Sequence, residues 1–484
     1  MKIELLSSGL AAARGLLPAD AQDVRDLIEL WARKKPRNDL RDAYYLSHVA
    51  LKDLGVSIPK ELAGRIDPRI DWPKKAVLAL ADRSQFDGFA ASDPDVEDAL
   101  GRIVAANQIK ALYRRNLIGE LKHCCGFWTV TAGDGGPVVS AYPASAACAL
   151  WDDSLKAIRC GLVVVESKGQ AGSEQRAPSV VEVYNRDAVI VLRRDGEVWS
   201  AEYRRHSMGR PLMEPMPFEP TLERPFGHSR ITRTVMSITD DAVREKARSE
   251  IAAEFAAFPQ KWLLGTDAET VDDSNRYSVA MGVIQEVSIG PDADRVPTIW
   301  QSPQLSMQPH IDYMRALACQ FSGATNVPLS ALGVVSDNPS SAEAIYAAKE
   351  DLVIDAQNLN AQNGIALRNV ALMALAVSRG TDFAAQRDSG VTVNPRFRNP
   401  AMPSVVSQTA AIVQQVSAIP WLADTEVALE ELGYSEEQIA RLQEEKRANQ
   451  GRELVDRMAS AAQRQGGPQR PGEVTADDAE QAGA

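Results

Sequence analysis

The sequence predicts an α+β protein in which helical segments surround a β-rich region. Apolar residues recur at helical spacing in the segment before Cys125. Strand-like alternation with tight turns follows as far as about His206, and helical spacing returns from Ser229 onward. Because short turns join the predicted strands, we expect them to pair as an antiparallel meander.

The region before Cys125 is predicted to be helical. Apolar residues at helical spacing predict a helix over residues 20–54, which Pro36 is expected to interrupt. Two further helices are predicted over residues 76–86 and 94–121, each beginning after a proline-containing turn.

The strands begin with FWTVTAGDGGPVVSAYPA, in which GDGG is predicted to form a tight hairpin turn. The stretches CGLVVVES, SVVEVYNRDAVIVLRR and GEVWSAEYRRH continue the alternation. The polar segment QAGSEQRAPS is predicted to connect two of these strands.

The second half returns to helix and ends in a polar tail. Thr239 or Asp240 is predicted to cap a helix that Pro259 ends. Later helices are predicted over residues 310–322, 341–379, 403–419 and 424–432, with a strand at VTVNPRF and a last helix beginning at a Ser435/Gln438 capping box. Residues after Gln463 have the composition of a disordered segment.

Composition and charge exclude several classes of protein. The chain has 484 residues, with 45% hydrophobic and 24% charged, as in folded soluble proteins. The net charge of −12 argues against a protein that grips nucleic acid by neutralising phosphates. No apolar run is long enough for a membrane span, and five scattered cysteines favour a reducing compartment.

A search for catalytic patterns finds no nucleotide-binding glycine motif, zinc motif or nucleophile elbow. The sequence therefore predicts no enzyme, no cofactor and no metal site. The adjacent residues His123, Cys124 and Cys125 have the side-chain types of a metal site, but neighbours in a strand point to opposite faces. Buried cysteines at a helix-to-strand junction are the favoured interpretation.

Paired carboxylates are a second candidate for cation binding. They occur at Asp152–Asp153, Asp240–Asp241 and Asp272–Asp273. Solvated turns and helix caps are the favoured interpretation of all three pairs, because Asp is common in both settings.

One loop bounded by glycines and prolines, without side chains suited to catalysis, separates two predicted helices. The stretch FSGATNVPLSALGVVSDNPSSAEAIYAAKEDL stops one helix near Gly323 and starts the next near Ser341. From the residues alone, an ordinary surface connection between two helices explains this loop.

The order of segments resembles the portal proteins of tailed bacteriophages, in the branch of siphophages that infect Gram-positive hosts. The resemblance covers roughly residues 40 to 450. It is strongest at Pro328, Leu332 and Gly333 followed by PSSAEA, at FPQKWLLG, and at ALEELGYSEEQIARL.

The resemblance implies a portal-like fold built from named parts. It has an α+β wing, a helical stem, a small β-rich clip, a long helix behind a channel loop, and a helical crown. The implied ranges are 1–236 for the wing with a returning strand at 391–397, 237–258 and 309–322 for the stem, 259–308 for the clip, 323–340 for the channel-loop region, 341–401 for the long helix and strand, 402–464 for the crown, and 465–484 for a disordered tail.

The resemblance also implies which residues face DNA and partner proteins. The channel loop would carry Gly333, Val334, Val335, Ser336, Asp337 and Asn338. None of these is a cation, and Asp337 repeated around a ring would repel the DNA backbone. The clip would offer an acidic docking surface formed by Asp267, Glu269, Asp272, Asp273, Asp292 and Asp294.

A portal protein is a structural ring, typically of twelve subunits, at one capsid vertex. The implied partners are double-stranded DNA passing through the channel, the terminase large subunit, the major capsid and scaffolding proteins, and a head-tail adaptor. The implied location is the virion, and the host cytoplasm during assembly. The alternatives are a capsid-associated adaptor or scaffold without a channel, or a carboxylate-dependent hydrolase.

Overall fold

In the computed structural model the chain divides into two units, Met1–Ala401 and Met402–Ala484. The structure describes residues 6, 9–52, 66–168, 177–257, 261–264, 298–301, 303, 305–334, 349–401, 405–434 and 436–465. Helices and antiparallel strands are both present, so the predicted α+β class is confirmed.

Helices of the larger unit lie on both sides of the strand region in the sequence. The described ones are α1 (Pro18–Tyr45), α2 (Trp72–Ala81), α3 (Pro94–Ala106), α4 (Ile109–His123), α5 (Arg233–Ala257), α6 (Gln308–Thr325), α7 (Glu350–Arg379) and α8 (Phe383–Arg387). A short 3-10 helix covers Leu329–Leu332.

The strands of the larger unit are mostly consecutive in the sequence. They are β1 (Phe86–Ala91), β2 (Cys125–Gly133), β3 (Gly136–Pro143), β4 (Ala147–Asp152), β5 (Ala157–Lys168), β6 (Ala177–Tyr184), β7 (Ala188–Asp195), β8 (Val198–Arg205), β9 (Met213–Pro217), β10 (Lys261–Leu264), β11 (Thr298–Gln301) and β12 (Val393–Phe397).

The predicted antiparallel meander is confirmed. Strands β4 to β8 form one sheet in sequence order, and β2 lies between β3 and β9 in another. The GDGG hairpin joins β2 to β3, with Gly133 paired to Gly136. The predicted strand VTVNPRF is present as β12, which pairs with β1.

Helix α1 continues through Pro36, so the predicted interruption is wrong. Two side chains on either side of the proline fasten the helix to the segment between β3 and β4. Trp31 Nε1 donates to the Ser145 carbonyl at 2.9 Å, and Asn38 Nδ2 donates to the Ala144 carbonyl at 3.0 Å. These contacts hold one helix across a residue that cannot donate a backbone hydrogen bond. The helix ends at Tyr45, so the expected helical continuation is absent from the described residues 46–52.

The helix predicted over residues 94–121 is two helices, α3 and α4. Gln108 separates them with a left-handed backbone (φ 51°). Asn107 stabilises the break because its side chain donates to the Pro137 carbonyl at 3.0 Å and accepts from Val139 N at 2.9 Å. The amide thus bonds a strand of the sheet, a tertiary contact that helical spacing could not reveal.

Helix α5 begins earlier than predicted. Thr232, not Thr239, supplies a hydroxyl near its start, and Val235 N donates to Thr232 Oγ1 at 3.2 Å. Thr239 lies inside the helix, where its hydroxyl donates to the Val235 carbonyl at 2.7 Å. A hydroxyl that bonds the carbonyl four residues earlier is compatible with continued helix.

Helix α7 is the centre of the larger hydrophobic cluster. One stretch of its C-terminal half is buried on all sides, since every residue from Val370 to Ala376 is buried. A helix that is apolar all round must be covered all round. Among the residues that the structure describes, none of the helices combines the length and apolar content needed to cross a bilayer.

The second unit is helical in its described part. Its elements are α9 (Val405–Ala418), a 3-10 helix (Pro420–Asp424), α10 (Glu426–Glu431) and α11 (Glu436–Gln465). Ser435 of the predicted capping box lies outside the described residues.

A buried polar network joins α7 to α4. Asn363 Nδ2 donates to Glu120 Oε2 at 3.0 Å and approaches the Tyr113 hydroxyl at 3.3 Å. Ser84 lies 2.6 Å from that hydroxyl and donates to Asn360 Oδ1 at 2.5 Å. Glu120 and Asn363 are fully buried. Such bonds fix the rotation of α7 because an apolar interface alone tolerates sliding.

Replacement of Glu120 by Gln is expected to remove a pH-dependent loss of stability. Burial raises the pKa of Glu120 well above its usual value of 4.5. The folded chain therefore keeps this carboxyl protonated at pH values where the unfolded chain releases the proton. The free energy of unfolding should fall by up to about 1.4 kcal/mol per pH unit as the pH rises between the unfolded and folded pKa.

Denaturant unfolding at a series of pH values measures this slope. The exposed Glu166 on β5 provides the control variant Glu166→Gln, which should keep the native slope. An equal slope in the native chain and in Glu120→Gln would contradict the assignment.

Candidate functional site

The structure describes only the first two residues of the predicted channel loop. Gly333 and Val334 are described, whereas Val335, Ser336, Asp337 and Asn338 lie outside the described residues. The segment that leads into the loop and the helix that follows it are both described, and they define the geometry of the site.

The leading segment is a sequence of tight turns. Asn326 ends α6 in a left-handed conformation (φ 54°), and Gly333 ends the following 3-10 helix with φ 85°. Val334 N then donates to the Leu329 carbonyl at 3.2 Å. Glycine suits position 333 because a side chain strains a backbone with positive φ.

A buried arginine fastens both ends of the predicted loop. Arg230 exposes only 6% of its surface and precedes α5. Its Nη2 donates to the Thr325 carbonyl at 2.5 Å, at the end of α6. Its Nη1 lies 3.5 Å from Asp355 Oδ2, near the start of α7. Its Nε donates to the Ala76 carbonyl of α2 at 2.9 Å.

Asp355 is shared by the two flanks. Asn326 Nδ2 donates to Asp355 Oδ2 at 3.1 Å, so the residue that ends α6 contacts the first turns of α7 directly. Burial lowers the pKa of Arg230, and the neighbouring Asp355 opposes that shift. Arginine remains charged in proteins, so a fixed positive charge holds the two flanks together.

Helices α5 and α6, which the resemblance assigns to a stem, are joined by a second polar contact. His310 Nδ1 lies 2.6 Å from Glu245 Oε1, and Arg248 lies 3.6 Å from the other oxygen of Glu245. Glu245 is buried between the helices. These bonds fix the position of α6 along α5. They therefore also fix where α6 ends and the predicted loop begins.

The predicted clip is described only at its base. Strands β10 and β11 form an antiparallel pair in which Lys261 faces Gln301 and Leu264 faces Thr298. The acidic residues predicted for docking, Asp267, Glu269, Asp272, Asp273, Asp292 and Asp294, lie outside the described residues.

The cysteine cluster is structural in character. Cys125 is buried and Cys124 partly exposed, and burial raises the pKa of both thiols. His123 is buried with Nε2 3.0 Å from Asp42 Oδ2. Within the described part of the chain, no three His, Cys, Asp or Glu side chains come together as a metal site.

One of the three carboxylate pairs has the turn role that the sequence favours, whereas Asp240 lies inside α5 and makes a tertiary contact, so the predicted role is wrong for it. Asp152 accepts from Ser154 N at 2.8 Å in a turn. Asp240 accepts from the Tyr44 hydroxyl at 2.9 Å and pairs with Lys52. The third pair, Asp272–Asp273, lies outside the described residues.

Comparison with known proteins identifies relatives along most of the chain. No protein-family model matches it. The portal protein of Mycobacterium phage L5 is 24% identical over 434 residues, which is 87% of this chain and 87% of that protein. The portal protein of Mycobacterium phage D29 is 23% identical over 464 residues, which is 92% of each chain.

One chain in a solved structure of the virion of a native gene transfer agent particle can be superposed on this chain. It is 14% identical and covers 72% of this chain and 85% of its own, with a TM-score of 0.42.

Substitution of Arg230 by Gln is expected to destabilise the larger unit by about 3–5 kcal/mol, because it leaves buried carbonyls and Asp355 without their cation. Arg230→Lys should recover only part of this loss, since one ammonium cannot reach acceptors on three elements. Denaturant unfolding measures both effects.

The exposed Arg233, in the first turn of α5, provides the matched control Arg233→Gln. We expect the control to keep native stability. Hydrogen exchange at Gly333 and Val334 should accelerate in Arg230→Gln alone. Equal stability of Arg230→Gln and Arg233→Gln would contradict the conclusion that Arg230 holds the two flanks of the loop together.

Proposed function

We propose that this structural portal protein, related to those of the mycobacteriophages, forms a ring at one capsid vertex and conducts DNA during packaging and ejection. The resemblance to tailed-phage portal proteins that the sequence predicts is confirmed by both relatives. The observation that carries the proposal is their match along nearly the whole chain, which leaves no large part unaccounted for by a portal role.

The absence of cations from the predicted loop supports a channel through which DNA moves. From Ala316 to Ser336 the sequence has no charged residue, and the predicted channel loop has no cation. Each phosphate captured by Lys or Arg adds salt-dependent affinity, so cations at a constriction would retain the DNA. A ring of Asp337 carboxylates would instead repel the DNA backbone and leave it free to move.

The parts of the ring follow the implied ranges. The wing comprises residues 1–236 with the returning strand, the stem 237–258 and 309–322, the clip 259–308, and the crown 402–464. In this assignment Arg230 is a wing residue that bonds another wing residue, Ala76, and both flanks of the channel loop. Its bonds to Thr325 and Asp355 would couple the two ends of the loop to the wing.

The role is structural and virion-associated, and the energy for DNA movement comes from elsewhere. The sequence has no phosphate-binding loop, so ATP hydrolysis belongs to a separate terminase docked on the acidic clip. The remaining partners are the major capsid and scaffolding proteins and a head-tail adaptor, with assembly in the host cytoplasm.

Electron microscopy of the full-length protein, with native mass measured in parallel, tests the ring. We expect rings with a central channel wide enough for duplex DNA, at a mass of about twelve chains of 52.6 kDa. Monomers that form no ring even with capsid and scaffolding proteins present would overturn the proposal, and an assembly without a hole would favour an adaptor.

Replacement of Asp337 by Lys is expected to slow DNA packaging and steepen its salt dependence, because a ring of cations would bind phosphates. In vitro packaging rates at several salt concentrations measure both effects. Asp153→Lys, at an exposed turn between β4 and β5, is the control and should package at the native rate. A native rate for both variants would contradict a channel position for Asp337.

A further inference from the structure

The outward face of α7 is exposed in the middle of the helix, yet it carries no charge there. Between Asp355 and Arg368 the helix has twelve consecutive uncharged residues, 356–367. Those that face solvent include Gln357, Asn358 and Ala361. The exposed positions of α1 are by contrast mostly charged, among them Arg25, Glu29, Arg33, Lys34, Arg37 and Asp39.

Ile365 within this stretch and Ile354 just before it are both exposed. Ile354 exposes 47% and Ile365 exposes 59% of its surface. They are separated by eleven residues, which is close to three helical turns, so they lie on one side of α7. Removing such a side chain from water stabilises a contact, because apolar surface is then no longer hydrated.

A groove adjoins Ile365. Its volume is about 580 Å³, and α7 forms one wall with Ile365 and Ala366. Trp151 and Ile158 of the β4–β5 region and the prolines Pro215 and Pro217 of β9 form the others. The lining also includes polar side chains, among them Lys156, Gln362 and the paired residues Arg210, Glu214 and Asn369. The larger part of the lining is apolar, so the groove suits a mainly apolar segment of another protein.

The buried carboxylate of the groove already has partners. Glu214 Oε1 accepts from Asn369 Nδ2 at 2.7 Å, and Arg210 pairs with the other oxygen of Glu214. Glu214 is buried. An occupant therefore needs no charged group to match this carboxylate.

A rigid turn projects at the rim of the groove. Thr221 and Arg224 exchange backbone hydrogen bonds of 3.2 and 3.0 Å, and Pro220 and Pro225 flank them. Leu222 at the tip of this turn is fully exposed. An apolar side chain on a stiff projection costs little entropy to immobilise in a contact.

We propose that the uncharged face of α7 and the adjoining groove are the surface that a second copy of this chain covers in the ring. The inference rests on the proposed function, because a ring requires each copy to contact the next. Two chains that each carry a net charge of −12 repel, so their contact favours a face without charge. Depletion of charged residues also marks the centres of protein interfaces.

The test is the assembly state of the full-length variant Ile365→Glu, measured by native mass with capsid and scaffolding proteins present. We expect about a tenfold or greater rise in the concentration needed for half-assembly, because the carboxylate would be buried without a partner. Val198→Glu is the control, since Val198 is 63% exposed on β8 and does not line the groove. It should assemble as the native chain does.

A photo-reactive amino acid at position 361 provides a second measurement on a folded, nearly native chain. We expect crosslinks to another copy of this chain. Native rings together with normal assembly of Ile365→Glu, or crosslinks only to a different protein or to residues 402–484 of the same chain, would overturn the inference. Failure of the native chain to form rings would instead overturn the proposed function.

Discussion

The larger unit is organised by the need to cover one helix. From Val370 to Ala376, helix α7 is apolar on every side, and water contact there would be costly. Strands β2, β3 and β9, the β12 strand and helices α2 and α3 therefore pack around it. The first half has a different environment, with one buried face and one exposed face. One helix thus links the core of the unit to its surface and to the flank of the predicted loop.

Polar contacts inside this core decide how the helices are placed. Asn363 and Glu120 set the rotation of α7 against α4. Arg230 fixes the place where the start of α5, the end of α6 and the first turns of α7 meet. The contact of His310 with Glu245 fixes the position of α6 along the axis of α5. Buried polar groups lose free energy when they lack partners, so each of these contacts favours one arrangement over near alternatives.

The sequence predicted the class of fold and the meander because alternation and turn residues are local signals. It misplaced the ends of helices where tertiary contacts decide. Pro36 does not interrupt α1 because Trp31 and Asn38 hold the helix from both sides. The residues of the predicted loop came from a family resemblance, whereas Arg230 and Asp355 carry no local signal. They are distant in sequence and meet only in the folded chain.

The anchor made by Arg230 has a consequence for how such a protein can diverge. Two of its three acceptors are the backbone carbonyls of Ala76 and Thr325. A backbone carbonyl is present whatever side chain the residue bears. Drift of the surrounding sequence can therefore replace most side chains near the junction without loss of the bonds. A lineage could change its outer surfaces freely while the geometry behind the predicted loop stays the same.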